Sequence, residues 1–183
     1  MKLNIVSQTM IISLVIQFIL IFIGFIGFFI KLDKENKVLT DILIMENIVQ
    51  IIEALMYIWI LFSISNFETM VKRRYIDWFI TTPIMLLTTI IFMKYNSNKD
   101  LKDLKDLKDL KDNRKIITFK NFISDEKQNI IMLFMFNALM LLFGYLGESH
   151  IINKNLSIII GFIFFSLSFN IIYKYINNNK TNK

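Results

Sequence analysis

Apolar residues in this chain come in long unbroken runs, not in alternation with polar ones. Five runs stand out, at about 11–30, 41–62, 74–93, 130–146 and 156–175. Each approaches the ~20 residues that, at ~1.5 Å rise per residue, cross the ~30 Å hydrocarbon core of a bilayer. The pattern predicts an all-α membrane protein with five transmembrane helices, one domain over residues 1–183. The first run is too long for the apolar core of a signal peptide, and no small-residue cleavage site follows, so it reads as a retained helix. Ser13 and Gln17 form a polar pair within it, while Gly24 and Gly27 let a neighbouring helix come close.

The few polar positions inside these runs are spaced as stripes. Glu46, Gln50, Glu53 and Tyr57 stand at i, i+4, i+7 and i+11, one face of the second helix. A wet surface helix would show the same stripe. The remaining faces are almost wholly Ile, Leu, Met and Trp, which favours a membrane helix with its polar face turned inward. In the third run Arg74, Asp77, Thr81 and Thr88 also share a face. A charge at membrane depth costs roughly 2.5–3.5 kcal/mol on insertion scales, so such residues mark function by default. Pro83, the only proline, frees the carbonyl of Phe79, which Thr82 or a neighbouring helix must satisfy. If the second and third helices pack side by side, the two stripes face one another. They then make either a polar path for ions or protons or a hydrogen-bonded core that only fixes packing.

Residues 95–128 form a polar insertion, cytoplasmic by charge. It contains a Lys-Asp-Leu repeat over 99–112 whose charges cancel, read as a solvated loop expansion. From Arg114 to Gln128, Ile116, Phe119 and Ile123 fall on one side with Lys115, Lys120 and Lys127 nearby, the pattern of an interfacial helix on an anionic leaflet. The last seven residues have the composition of a disordered tail. With the N-terminus outside, 16 Lys and Arg fall on inner segments and five on outer ones, so the balance predicts N-out and C-in.

Composition removes several functions. No cysteine is present, which excludes disulfides and thiolate chemistry. The single histidine, His150, reads as a loop residue between two runs. The net charge of +6 is concentrated in the connections and is not a nucleic-acid footprint. No zinc motif, serine elbow or catalytic aspartate pair appears, so no metal site and no enzyme are expected.

The segment Arg74-Tyr75-Ile76-Asp77-Trp78-Phe79-Ile80-Thr81-Thr82-Pro83, with Leu86 and Leu87 after it, resembles the third helix of the microbial rhodopsins. Asn137 to Glu148 is similar to their fourth helix, especially in the viral branch. The resemblance implies five helices of a seven-helix retinal bundle, acting in light-driven or light-gated ion transport or photoreception. It makes Asp77 the counterion and proton acceptor of the protonated retinal Schiff base, Arg74 its tuning partner and Thr81 its neighbour. It places retinal against Trp78, Thr82, Met85, Met140, Gly144, Gly161 and Phe165, and it gives Glu46, Gln50, Glu53 and Tyr57 to an ion path. The cytoplasmic proton-donor position is occupied by Thr88, which points away from a fast proton pump. No lysine matches the retinal attachment site, so the chain is expected not to bind retinal covalently by itself. It reads as a truncated relative whose partners are the bilayer and either another copy or a complementary two-helix fragment. The alternative is a residual structural or oligomerising membrane protein without photochemistry.

Overall fold

The computed structural model describes residues 2–33, 36–62, 66–105 and 118–177. Among them are six helices and no strand: α1 (Lys2–Gly27), α2 (Lys37–Leu61), α3 (Phe67–Lys105), α4 (Phe119–Asp125), α5 (Lys127–Glu148) and α6 (Lys154–Asn177). All but α4 are long and apolar enough to span a membrane. The helices pack in chain order, α1 on α2, α2 on α3, α3 on α5 and α5 on α6, with α6 returning to touch α3.

Helix ends differ from the hydropathic runs because the polar flanks are helical too. α1 starts nine residues before its apolar run and stops at Gly27, three short of the expected end. α3 begins at Phe67 and continues twelve residues past Met93, since no Gly or Pro follows Pro83 to stop it. The first part of the polar insertion is therefore an extension of α3. Within the expected interfacial segment the described residues form α4, whose Thr118 side chain caps it by accepting from the Asn121 N–H at 3.4 Å. The second half of the repeat (106–112), Arg114, Lys115, Ile116 and the final six residues lie outside the described residues.

Apolar core and polar stripe separate along the helix axes. Val38, Leu87, Ile90, Ile91, Phe122, Ile130, Leu133, Ile171, Ile172 and Tyr175 form one buried cluster at the end that carries α4. Glu126, at the α4–α5 junction, pins that end. It accepts hydrogen bonds from Tyr175 Oη at 2.8 Å and Asn129 Nδ2 at 2.9 Å and pairs with Lys94 at 3.5 Å. α1 packs through its glycines: a Cβ on Gly24 would overlap the Asn47 side chain, and one on Gly27 would come within 2.8 Å of Leu43.

Candidate functional site

α2 and α3 run antiparallel in a register fixed by Glu46, whose carboxylate meets the Thr88 hydroxyl. Seven residues on along α2, and seven back along α3, Glu53 comes opposite Thr81; eleven residues bring Tyr57 opposite Asp77. The predicted juxtaposition of the two stripes is therefore present. Glu53 and Asp77 lie close enough for their charges to interact, and Tyr57 senses both Asp77 and Arg74. From Arg74 to Thr88 the polar column spans fourteen residues, about 21 Å of helix.

Asp77 is 2% exposed and Thr81 fully buried. Thr81 spends its hydroxyl proton on the Asp77 carbonyl at 3.0 Å, which turns it away from the Asp77 carboxylate. One oxygen of that carboxylate, Oδ1, is buried with no hydrogen-bond partner among the described residues. A buried acceptor left without a partner is costly.

The stripe on α2 does not act alone. Glu53 accepts a hydrogen bond from Gln17 Nε2 of α1 at 3.5 Å, so the first helix contributes to the polar layer. The Gln50 amide oxygen is buried without a partner among the described residues.

Near the start of α3 Arg74 pairs with Glu148, the last residue of α5, and its guanidinium lies 5.0 Å from the Trp78 ring centroid. Tyr75 packs edge-on against both Trp78 and Tyr145, 5.4 Å from each. Arg73 turns the other way, over Trp59, donating to the Trp59 carbonyl. Glu148 can hold Arg74 because α5 ends in a tight turn: His150 takes φ 58°, and the Ile151 N–H returns to the Leu146 carbonyl at 2.9 Å. Asn153 then caps α6, accepting from the Asn155 N–H at 2.9 Å.

Between α3, α5 and α6 lies a cavity of about 480 Å³. Four of the predicted retinal-lining residues line it: Trp78, Met140, Gly144 and Gly161. Its volume is within the ~300–1,000 Å³ range of small-molecule sites. Gly144 is required by Tyr75, whose hydroxyl would stand 2.9 Å from a Cβ there. At Gly161 a Cβ would meet only the Met140 carbonyl at 3.8 Å, so protein does not fill that space. These features leave room for an apolar cofactor of retinal's class beside Trp78, the sequence neighbour of Asp77.

Three other predicted lining residues stand elsewhere. Thr82 donates to the Trp78 carbonyl at 2.7 Å and accepts from Asn137 Nδ2 at 2.8 Å, joining α3 to α5. It does not serve the Phe79 carbonyl freed by Pro83, as the sequence allowed. Met85 is 42% exposed. Phe165 stacks with Phe162 and Phe169 outside the cavity, an arrangement hydropathy cannot distinguish from cavity lining. Glu148, Asn137 and Gln17 are the polar partners that spacing within single helices did not pair with the stripe. The signal available for Glu148 was its place as a lone carboxylate closing an apolar run. His150 and Lys154 are exposed residues at the cavity mouth.

The family model described as bacteriorhodopsin-like protein matches residues 8–183. Among solved structures, that of the viral rhodopsin OLPVRII is similar, with a TM-score of 0.73 and 22% sequence identity over 93% of this chain and 71% of that one. At this identity the likeness speaks for the fold. No curated protein matches the chain. The rhodopsins bind retinal and are typically ion pumps, channels or sensors, not classical enzymes. Fold, polar column and sequence match agree, and the chain belongs to the bacteriorhodopsin-like protein family.

Proposed function

We propose that the five spans form the counterion-bearing part of a retinal-dependent ion transporter or light sensor, with Asp77 as the charge that the chromophore's cation would meet. The observation that carries this reading is Asp77 itself: buried, with one carboxylate oxygen unpartnered, and adjacent in sequence to the cavity-lining Trp78. Trp78, Met140, Gly144 and Gly161 would hold retinal, which supplies light absorption and a positive charge when bound. Arg74, tied outward to Glu148, sets the field on the outer side of Asp77 and keeps that side closed to free solvent.

On the inner side the donor position is Thr88, which cannot supply a proton as a carboxylic acid does. Its partner Glu46 places the ionisable group on α2 instead. Glu46, Gln50, Glu53 and Tyr57 then line the route along which an ion or proton moves. No lysine falls in the central turns of the five spans. In this reading the attachment amine comes from outside these five spans.

The test is reconstitution with retinal and a separately expressed two-helix segment carrying a mid-helix lysine. A visible absorption band that is lost or strongly shifted in Asp77→Asn supports the reading. If no lysine-bearing complement gives a band while the five spans remain folded, the chain is a structural or oligomerising membrane protein instead.

A further inference from the structure

We infer that the groove between the starts of α2 and α4 is a binding site for an anionic phospholipid of the inner leaflet. The groove has a volume of about 460 Å³ and opens at the same end as Glu126, Lys94 and Tyr175. This is the Lys-rich end, which the positive-inside balance puts at the cytoplasmic surface. Ile44, Met45 and Phe119 give it apolar walls, and Lys37 and Lys120 stand on either side of it.

The residues are placed by two helices that diverge. Lys37, Asp41, Ile44 and Met45 lie at i, i+4, i+7 and i+8 on one face of α2. Val38, beside that face, is in the core with Phe122 of α4, so the helix starts are anchored while the surface between them stays open. Ile44 is 42% exposed, and Phe119 is only partly covered. An apolar groove at headgroup depth matches an acyl chain.

Charge decides which lipid. Lys37 and Lys120 are exposed, and neither pairs with a carboxylate among the described residues. Lys94 at the same end, by contrast, is already neutralised by Glu126. Among the described residues Asp41 is the one carboxylate lining the groove, so two ammonium groups face one negative charge there. That surplus favours a phosphate-bearing anionic headgroup over a zwitterionic one, because each lysine near a membrane surface attracts anionic lipid. The site is independent of retinal and of the polar column.

The experiment places a reporter in the groove. In the full chain, Phe119→Trp puts an indole against the acyl position, while Trp59 and Trp78, in the opposite half, give a baseline in the parent protein. Vesicles of phosphatidylcholine carry a minor fraction of either brominated phosphatidylglycerol or brominated phosphatidylcholine. Quenching of the new indole is expected to favour phosphatidylglycerol by about fivefold, from the net surplus of one lysine charge near the surface, and to lose that preference at high salt. Lys37→Gln with Lys120→Gln should abolish the preference and Lys37→Arg with Lys120→Arg should retain it. Asp41→Asn should raise it, a change of opposite sign that misfolding would not give. Equal quenching by both lipids, a preference unchanged in the double Gln variant, or no quenching by either because a second copy covers the groove would each overturn the assignment.

Discussion

Glu46 on α2 and Thr88 on α3 are hydrogen-bonded across the helix interface, 42 residues apart in sequence. This contact fixes the antiparallel register that brings Tyr57 to the level of Asp77. Removing the hydroxyl while keeping the shape, in Thr88→Val, leaves a carboxylate in the membrane interior without that partner. The expected cost is about 1–3 kcal/mol. Glu46→Gln keeps a hydrogen-bonding group and removes the charge, so it is expected to cost less. Unfolding in mixed micelles, followed by circular dichroism, ranks the two; a Glu46→Gln variant less stable than Thr88→Val would contradict this account.

The α1–α2 contact depends on the absence of one carbon. Gly24→Ala drives a Cβ into the Asn47 amide, which is held in place by its own hydrogen bond to the Leu43 carbonyl at 3.0 Å. Overpacking of this kind costs about 1–3 kcal/mol. Asn47→Ala should recover most of the loss in the double variant, because it removes the obstructing group. Non-additivity in a double-mutant cycle is the measurement, and strictly additive effects would show that the two residues do not meet.

The Arg74–Glu148 pair is about one-third exposed on each side, so its direct contribution to stability is about 1 kcal/mol or less. Its larger effect is positional. Glu148→Gln frees Arg74 to turn toward Asp77, and in a retinal-reconstituted bundle this should shift the absorption band while the unfolding midpoint barely moves. An unchanged band in Glu148→Gln would mean that Arg74 is held by its aromatic contacts with Trp78 and Tyr75 alone.

Acid should loosen the inner end first. Burial works against ionisation of Glu126, but hydrogen bonds from Asn129 and Tyr175 and the charge of Lys94 outweigh it, and the carboxyl titrates below its ordinary 4.5. A carboxyl with a lowered folded-state pKa stabilises the fold above its unfolded value and loses that contribution as pH falls through the folded one. Stability is therefore expected to decline below about pH 4.5, and Glu126→Gln should flatten that part of the profile while lowering the plateau. Superimposable acid profiles for the two proteins would exclude this role.

Much of this architecture was legible in the sequence. A span is a property of consecutive residues, so five apolar runs suffice to place five helices. A stripe is a property of one helix, so Glu46, Gln50, Glu53 and Tyr57 could be grouped by spacing alone. Pairings between helices are a different matter. Nothing local joins Arg74 to Glu148 or Thr82 to Asn137, since those contacts depend on how α3 meets α5. The direction in which a side chain leaves a uniformly apolar helix is equally hidden, which is why Phe165 and Met85 stand away from the cavity that Gly161 enters. Helix ends differ from the ends of the apolar runs because hydropathy reports the bilayer boundary and hydrogen bonding reports the helix.

The sequential packing of the five spans has a consequence for assembly. α1 is attached chiefly to α2, and only 6% of its apolar stretch is buried, while α6 rests on α5 and α3. The first and the last span therefore present two unlike rims. Copies joined rim to rim would meet head-to-tail, a heterologous contact that closes only when the rotation per copy divides a full turn. A two-helix complement, in contrast, would touch both rims of one copy together. Once it engages the first rim, contact with the second is intramolecular, with an effective concentration of order millimolar for a short span. Weak affinity at each rim is then enough to hold a complete bundle.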